Sequence, residues 1–538
     1  MLEERPSQSG AEPVLRGTGA LAPSRPRRAT ARVKGAWAGV KGAWAGVYRD
    51  PVTWAIALTV CCAYGALSLF RLLQLSPASW DLGIYTEYVK QYAHLEPPVV
   101  DIRGAGFNLL GDHFQPMVAV LAPFFRVFPS AATLLVAQAL LTAVSVFPVS
   151  QLAREKLGVG PGRAVAIAYG LSWGLQQLVA YDFHEIAFAV PLLAFALSAL
   201  ARGHLRAAVW WALPLVFVKE DQGFTVAAIG LYLIITAWTM EKPEGRTRSQ
   251  AGLLLLAWGF AWSFLAIGVI IPHFNAAHHY DYWSDGGVLA PSGHLTAIGL
   301  VKQLVTAWPN KLQTVALILL PTAFTALRSP LALVAVPSLL LRFLSTDSSF
   351  WGTAWHYNAT VMPILFVAAV DALARIQAAM DADDRPGFVT WGSGQRGGRR
   401  ALLAGARHYG VAMMLAIAVA LSFYFPVSNL WNAQTYRIGP HVASAEAAMA
   451  AVPDGATVQA TLDLLAPLAA RTDTFWIGNP GNPMTKYIVF DGRDSDYSPA
   501  ITNVPAFIAQ LYPPHEYTQI FQSDGVYVFR LNPPGDRG

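Results

Sequence analysis

The chain has 538 residues, of which 54% are hydrophobic and only 13% are charged, with a formal net charge of +5. Soluble domains are about 25% charged, and several apolar runs here approach the roughly 20 residues that cross a bilayer, so the composition excludes an ordinary soluble protein. The basic residues lie in short segments between apolar runs, which is typical of membrane orientation signals rather than of a nucleic-acid-binding surface. We therefore predict a polytopic α-helical membrane protein that has membrane lipid, and no nucleic acid, as a partner.

The first 50 residues are polar and rich in Arg, Pro, Gly and Ala, and they contain the heptapeptide VKGAWAG twice, at 33–39 and 40–46. A basic segment with interleaved tryptophans can lie on an anionic lipid surface, whereas the same composition is also typical of a disordered tail. We predict a disordered basic tail over 1–50, which its arginines place in the cytoplasm.

Apolar runs follow the tail and predict about eleven transmembrane helices in a domain that covers residues 51–426. The runs cover about 52–75, 131–153, 164–180, 186–201, 206–218, 222–240, 251–271, 311–327, 330–344, 359–378 and 409–426. If the chain starts in the cytoplasm and alternates sides, the segments rich in Lys and Arg fall inside, as the positive-inside rule requires. The alternation places residues 76–130 outside as a long first loop, and it also places the end of the chain outside.

The first loop opens with the segment SPASWDLGIYTEYVKQYAHL. Ser79 can cap a helix that carries Leu82, Tyr85, Tyr88 and Val89 on one face, and such a helix can lie on the lipid surface. The following segment, GFNLLGDHFQPMVAVLAPFFRVFPS, has an apolar part too short to span. We interpret it as a re-entrant or interfacial segment.

Polar clusters interrupt the apolar pattern at the predicted outer ends of the spans. They are Asp81 in SWDLG, Asp112 and His113 in GDHF, Asp182, His184 and Glu185 in YDFHE, Lys219, Glu220 and Asp221 in VKED, and His356 and Tyr357 in WHYN. Each one alone is compatible with a polar helix end in a short turn. Together, four acidic sites on one face favour a shared polar cavity.

The depth of the VKED turn supports that cavity. The span before it, 206–218, is about 13 residues long, which gives about 20 Å of helix, whereas the hydrocarbon core is about 30 Å thick. The turn is therefore expected to lie below the outer surface. A charge facing lipid there would cost several kcal/mol, so we expect its side chains to line a water-filled cavity.

The chain changes character after about residue 426. Short strand-like runs in GATVQATLDLLAPLAARTDTFWIG, KYIVFDG and YTQIFQSDGVYVFRLNPP are separated by Gly, Pro, Asn and Asp, and Ala443–Ala451 is rich in alanine. We predict a small extracytoplasmic α/β domain over 427–538. Its role is left open between a binding or lid function and a structural cap.

Carboxylates and histidines around one cavity are suited to two kinds of chemistry. One is general-base activation of a hydroxyl, and the other is binding of Mg²⁺ or Mn²⁺ beside a phosphate. The metal candidates are Asp81, Asp112 and Glu185. Zinc bound by His113 and His184 is an alternative, but their spacing is not specific for it.

As a set, SWDLGIYTEYV, GDHFQPMVAVLAPFFRVFPS, YDFHEIAFAVPLLAFAL, VKEDQG and WHYNA resemble a family of predicted multi-pass membrane proteins of unknown function, of the actinobacterial type. That family is similar to the GT-C superfamily of integral membrane glycosyltransferases. The resemblance implies a polyprenyl-phosphate sugar donor, a carboxylate in the first loop as base, and an outer C-terminal domain. Many GT-C enzymes have a paired acidic motif in that loop, whereas Asp81 stands alone between Trp80 and Leu82.

The resemblance also implies roles for the polar clusters. Asp81 takes the position of the base, with Asp112 and His113 near it as further catalytic residues. Lys219 and Arg342 are implied as contacts to the donor phosphate. The other residues that we assign to substrate binding are Glu220, Asp221, Asp182, His184, Glu185, His356 and Tyr357.

The sequence thus predicts a cell-membrane glycosyltransferase that transfers a sugar from a polyprenyl-phosphate donor to a cell-envelope glycan or protein. One alternative is a transporter or flippase of lipid-linked or small solutes, in which the buried charges line a pathway. Another is a non-catalytic envelope protein whose outer domain binds a partner. Carboxylates around one outward cavity favour the enzyme, whereas charges along a path open to both sides favour transport.

Overall fold

The protein is described by a computed structural model that covers residues 50–284, 297–383, 395–494, 501–512 and 516–533. Except for Asp50, the predicted basic tail over 1–50 lies outside these residues. The described chain is mostly helical and ends in a small sheet.

The helices and strands are numbered along the described chain. The helices up to residue 284 are α1 (Pro51–Leu73), α2 (Asp81–Ala93), α3 (Ala122–Val127), α4 (Ala131–Leu157), α5 (Val159–Gly170), α6 (Trp173–Ala180), α7 (Ala189–Ala201), α8 (Leu205–Ala212), α9 (Gln222–Ala237), α10 (Glu244–Leu265), α11 (Ile271–Phe274) and α12 (Asp281–Ser284). The later helices are α13 (Ala297–Val305), α14 (Trp308–Leu319), α15 (Val336–Leu344), α16 (Val361–Asp383), α17 (Gln395–Leu421), α18 (Pro440–Ala450), α19 (Leu462–Ala469) and α20 (Val504–Leu511). The strands are β1 (Thr457–Ala460), β2 (Asp473–Trp476), β3 (Tyr487–Asp491), β4 (Tyr517–Ser523) and β5 (Val526–Leu531).

Helices long and apolar enough to cross a bilayer account for part of the predicted spans. Among the described residues they are Pro51–Leu73, Ala131–Leu157, Glu244–Phe274 and His356–Met380. Shorter apolar helices of 10–17 residues coincide with other predicted spans, such as Gln222–Ala237, Pro330–Leu344 and His408–Leu421. The membrane-protein class therefore stands, and the count of eleven spans stays a prediction.

Some predicted spans are interrupted rather than continuous. The span over about 164–180 is divided between α5 and α6 at Leu171 and Ser172. The span over about 311–327 is broken near Pro321, where Ala323 and Phe324 adopt positive φ angles of 48° and 58°. Proline cannot donate the helical backbone hydrogen bond, and left-handed residues end a helix. Broken apolar segments of this kind are tolerated in membranes where protein covers the backbone.

The start of α1 is fixed by a buried ion cluster. The Asp50 carboxylate caps the helix by accepting from Thr53 N at 3.2 Å, and Pro51 occupies the first turn, which is where both residue types stabilise a helix. The same carboxylate lies 3.3 Å from Arg154 Nη1 and 2.8 Å from Arg163 Nη2. These contacts tie α1 to α4 and α5.

Helices α9 and α10 pack backbone to backbone through glycines. A Cβ atom on Gly223 would lie 2.4 Å from the carbonyl oxygen of Gly259, and one on Gly230 would lie 2.5 Å from that of Gly252. Only glycine allows so close an approach. Helix α10 continues through a π-helical segment, Ala266–Ile270, into α11.

The C-terminal residues form a five-stranded mixed sheet in the order β2-β1-β3-β5-β4. Strand β1 is parallel to β2 and β3, whereas β3–β5 and β4–β5 are antiparallel, with pairs such as Val489 opposite Val528. Asp524 and Gly525 join β4 to β5 with positive φ angles, as expected for a two-residue hairpin turn. The sheet and its helices α18–α20 match the predicted α/β character, and the strand-like run after β1 proves to be helix α19.

Candidate active site

A cavity of about 530 Å³ lies between the first loop, the YDFHE and VKED turns, the α12 region and the segment 341–357. Most of the predicted site residues line it, and these are Asp81, Asp112, His113, His184, Lys219, Glu220, Asp221, Arg342, His356 and Tyr357. Segments that are far apart in the sequence therefore converge on one space.

Asp81 opens helix α2, and its side chain is about one quarter exposed, toward the cavity. The Ser79 hydroxyl donates to the carboxylate, and His184 Nε2 lies 3.7 Å from Oδ2. Although burial raises the pKa of Asp81, the hydrogen bond and charge of His184, with Ser79 and Lys219, lower it below its ordinary value. Asp81 is therefore held as a carboxylate that can accept a proton or a hydrogen bond.

His184 is stacked on His356, with ring centroids 3.7 Å apart and an interplanar angle of 23°. Each ring is 5% exposed, and the Nδ1 atom of each has no hydrogen-bond partner within the described part of the chain. Gln138 of α4 holds the turn in place, because its side-chain oxygen accepts from His184 N at 3.0 Å and its amide donates to the Asp182 carbonyl. The histidine that contacts Asp81 is thus oriented by packing and by a buried glutamine.

Asp182 and Glu185 lie behind the cavity wall rather than on it. Asp182, with a positive φ of 57°, accepts from Ala78 N at 2.6 Å and lies 3.7 Å from Arg71 Nη2, so it supports the chain that leads into Asp81. Glu185 is fully buried, lies 2.9 Å from Lys219 Nζ and accepts a hydrogen bond from the Tyr85 hydroxyl. Both predicted substrate contacts therefore reach the cavity only through neighbours.

Glu220 joins the VKED turn to the first loop. Its carboxylate accepts from Phe114 N at 3.0 Å and from the Tyr280 hydroxyl at 2.8 Å, and it contacts His113 Nδ1 at 2.7 Å. Ser263 of α10 donates to its carbonyl at 2.6 Å. Burial lowers the pKa of His113, but the Glu220 and Asp112 charges outweigh it and leave that pKa raised.

Asp221 follows Glu220 in the VKED turn and also lines the cavity. Its side chain accepts from Gln222 Nε2 at 3.1 Å. Burial raises the pKa of Asp221 to about 6, against the lowering effect of Lys219. Asp221 is thus a cavity carboxylate that exchanges its proton near neutrality.

Two arginines line the cavity in different ways. Arg342 donates to Phe350 O at 3.0 Å, to Asn358 Oδ1 at 2.9 Å and to Gly352 O at 3.2 Å, so most of its donors hold the segment 350–358. Arg103 Nη2 lies 3.3 Å from Asp112 Oδ2, and its Nε atom is buried without a partner in the described structure. Arg103 therefore has fewer contacts to protein acceptors than Arg342 within the described residues.

Sequence reasoning missed several residues that line the cavity, among them Arg103, Tyr280 and Tyr282. The Tyr282 ring is stacked on His113 with centroids 4.5 Å apart. A basic residue in a predicted outer loop runs against the positive-inside trend, and two tyrosines in YDYW stand in an otherwise polar loop. These were the signals that could have identified them.

Apolar side chains from four segments complete the wall. They are Phe224 of α9, Ile267 of the π-helical segment, Leu300 of α13, and Leu341 and Leu344 of α15. Single π-helical turns inside α-helices occur frequently at functional sites. The cavity therefore combines a charged lining with an apolar one, as a ligand that is itself amphipathic requires.

The candidate metal ligands are not arranged as one set. In the described ranges no group of three or more His, Cys, Asp or Glu side chains is placed to hold a metal ion. Asp81 contacts Ser79 and His184, Asp112 contacts Arg103, and Glu185 contacts Lys219. The three carboxylates do not fit a shared Mg²⁺ or Mn²⁺ site in this arrangement, and a metal requirement stays a prediction.

Comparisons with known proteins give a family and a fold. The model of a family described as predicted membrane protein (DUF2079) matches residues 71–491, which is most of the chain. No curated protein sequence matches the chain.

ArnT from Cupriavidus metallidurans bound to undecaprenyl phosphate has a similar structure, with a TM-score of 0.51 at 14% identity, over 89% of this chain and 97% of that one. The apo state of the same protein gives a TM-score of 0.48 at 14% identity, over 89% of this chain and 96% of that one. The Archaeoglobus fulgidus oligosaccharyltransferase in the apo form gives a TM-score of 0.34 at 13% identity, over 79% of this chain and 64% of that one. The likeness to lipid-bound ArnT is a likeness of fold, and it agrees with the GT-C-like resemblance of the sequence.

Proposed function

We propose that this chain, which belongs to the DUF2079 family of predicted membrane proteins, is an integral membrane glycosyltransferase. It transfers a sugar from a polyprenyl-phosphate donor to a cell-envelope glycan or protein on the outer face of the membrane. One observation carries the proposal: in a GT-C-like fold, the His184-paired Asp81 carboxylate shares a cavity with the cations of Arg103 and Lys219.

In the proposed reaction, the Asp81 carboxylate accepts the proton of an acceptor hydroxyl. The hydroxyl oxygen forms a bond to the anomeric carbon of the sugar while the bond from that carbon to the phosphate oxygen breaks. Polyprenyl phosphate leaves with the bonding electrons, and attack from the opposite face inverts the anomeric centre. General-base assistance of this kind contributes typically 10²–10⁴-fold to a rate.

The donor phosphate gains negative charge as it leaves, and positioned cations stabilise such charge in a site that excludes water. Arg103 and Lys219 both line the cavity, and although burial lowers the pKa of Lys219, the charge of Glu185 leaves that pKa raised, so the ammonium group keeps its proton. The apolar wall from Phe224, Leu300 and Leu341 suits the first isoprene units. The undecaprenyl phosphate bound to ArnT is a ligand of this same amphipathic class.

The test compares a deletion strain with its parent. We expect the deletion strain to lack one envelope glycan modification and to accumulate a polyprenyl-phosphate sugar. Wild-type protein restores both, and Asp81→Asn restores neither. Unchanged glycans and unchanged lipid-linked sugars contradict the proposal, and altered solute uptake with intact glycans favours the transporter instead.

A metal requirement is a separate question that the same system answers. If Arg103 and Lys219 are the main source of charge stabilisation, transfer in chelator-treated membranes continues without added Mg²⁺ or Mn²⁺. Loss of transfer in chelator, restored by either ion, assigns the phosphate to a metal instead.

A further inference from the structure

The C-terminal sheet contacts the first loop immediately beside two cavity residues. Trp476, at the end of β2, packs edge-on against Trp80, with ring centroids 5.1 Å apart. Asn479 donates from Nδ2 to the carbonyl oxygen of Ile102 at 2.6 Å. Trp80 precedes Asp81 in the chain and Ile102 precedes Arg103, so both contacts lie one residue from a charged group of the cavity.

The Ile102 peptide is held on both sides. Its N–H donates to Glu87 Oε2 of α2 at 3.2 Å, and its carbonyl accepts from Asn479. The Arg103 guanidinium lies 5.3 Å from the centre of the Trp80 ring, which also contacts Trp476. The C-terminal domain therefore holds the peptide before Arg103 directly, through Asn479, and reaches the Arg103 side chain indirectly, through the ring of Trp80.

The segment that makes these contacts is anchored to the sheet. Asn482 donates to the Trp476 carbonyl at 2.7 Å and to Gln459 Oε1 at 3.1 Å. Gln459 belongs to β1 and is fully buried. A continuous series of hydrogen bonds and ring contacts thus runs from the centre of the sheet to the cavity.

The receiving segment needs such support. Gly104 and Gly106 follow Arg103 with positive φ angles of 138° and 72°, and glycine loses more conformational entropy on ordering than other residues. A charged side chain on such a segment binds a ligand well only when its neighbours hold it in the binding geometry.

We propose that the C-terminal domain is a working part of the binding site: Trp476 and Asn479 are positioning residues that hold Arg103 in the cavity, ready to bind the phosphate of a phosphate-bearing lipid. The identity of the ligand rests on the proposed function, whereas the positioning does not. The domain is accordingly neither a separate binding module nor a cap that can be removed without effect on the site.

The experiment uses the full chain, purified in detergent, with undecaprenyl phosphate as the probe. Asn479→Ala removes the donor to Ile102, and Arg103→Ala removes the group that is positioned. Gln519→Ala, on the exposed strand β4 of the same domain, is the matched control. Lipid binding and backbone hydrogen exchange of peptides covering 100–113 are measured for each protein.

We expect Asn479→Ala to weaken lipid binding about fivefold, the effect of losing one neutral hydrogen bond. Exchange over 100–113 should rise at the same time, with the rest of the molecule unchanged. The double variant Asn479→Ala/Arg103→Ala should bind the lipid little more weakly than Arg103→Ala alone, because both substitutions act through the Arg103 side chain. Gln519→Ala should match the wild type.

The outcomes separate this inference from the proposed function. If the wild type binds the lipid and Asn479→Ala leaves both binding and exchange unaltered, the positioning role is wrong. If the wild type does not bind the lipid, the phosphate-lipid part fails, and exchange alone decides whether Asn479 orders the segment. Should Asn479→Ala loosen the whole sheet, Asn479→Asp replaces it, because it keeps the side-chain volume and loses the donor; unchanged exchange over 100–113 in that variant overturns the inference.

Discussion

The ammonium group of Lys219 lies 2.9 Å from a carboxylate oxygen of Glu185, whose side chain is fully buried. The two residues come from the VKED and YDFHE turns, which are separate polar interruptions in the sequence. The pair joins those turns into one wall of the cavity and explains how their charges are tolerated inside an apolar protein.

Glu185→Ala should destabilise the protein by about 3–5 kcal/mol, because it leaves a mostly buried ammonium without its partner. Glu185→Leu combined with Lys219→Met should recover much of that loss, since no lone charge remains. Thermal unfolding in detergent of Glu185→Leu, Lys219→Met and their double variant measures the coupling, with Glu185→Ala measured beside them. If the double variant is no more stable than Glu185→Ala alone, the ion pair does not carry the effect.

Asp81→Asn should reduce glycosyl transfer by about 10²–10⁴-fold, because the amide cannot accept a proton from the acceptor. Asparagine has nearly the same side-chain volume as aspartate, so the amount of the variant protein in the membrane should match that of the wild type. Asp454→Asn is the matched control, since that carboxylate is 82% exposed and pairs with Arg471 in the C-terminal domain. Full transfer by Asp81→Asn would remove this residue as the base.

The convergence of the polar turns on one cavity could be predicted from the sequence, because the predicted alternation of spans puts them on one side and the short span before VKED predicts a recessed turn. The polytopic helical class and the GT-C-like resemblance are confirmed. The helical class depends on apolar length and on the placement of basic residues, and the resemblance depends on motifs such as SWDLG and VKEDQG. Local sequence records all of these directly.

The parts that sequence did not reveal depend on tertiary contacts. Asn479, far along the chain, donates to the peptide that precedes Arg103, and no local pattern predicts a contact between such distant residues. Asp182 and Glu185 carry the same kind of charge as Asp81, and only packing decides that they support the wall. The division of Arg342 donors among loop carbonyls likewise has no local signature.

The location of the C-terminal domain can be measured with a reporter fused after Gly538. The predicted eleven spans start in the cytoplasm, so an odd number of crossings puts the domain outside. Alkaline phosphatase fused there should be active, and a fluorescent protein that folds only in the cytoplasm should be dark. An inactive alkaline phosphatase together with a fluorescent reporter means that the chain has one span more or one span fewer than predicted.

Gly223→Ala should cost roughly 1–3 kcal/mol through overpacking of α9 on α10. The added Cβ would lie 2.3 Å from Ser263 Oγ and 2.4 Å from Gly259 O, and Ser263 also donates to the Glu220 carbonyl. Gly65→Ala is the matched control, because nothing lies within 4 Å of its added Cβ and alanine is the better helix former. Thermal unfolding should show a lower Tm for Gly223→Ala and a higher Tm for Gly65→Ala. Equal shifts in Tm would contradict the packing role of Gly223.

Asp221 should make stability depend on pH in a defined direction. Burial raises the pKa of Asp221 to about 6 in the folded protein, from an ordinary value of 3.8. Between these values the folded state keeps a proton that the unfolded chain has lost, so stability falls as pH rises from about 4 to about 6 and stays low above that. The full effect is at most about 3 kcal/mol, at about 1.4 kcal/mol for each pKa unit.

Asp221→Asn removes this titration while keeping an acceptor for Gln222. The variant should therefore be more stable than the wild type at about pH 7.5, with the difference shrinking toward about pH 4.5. Thermal unfolding at both pH values, with the exposed Asp454→Asn as control, measures the change. A difference that is constant with pH would assign the stabilisation to packing, because only a proton bound unequally by the folded and unfolded states produces a slope.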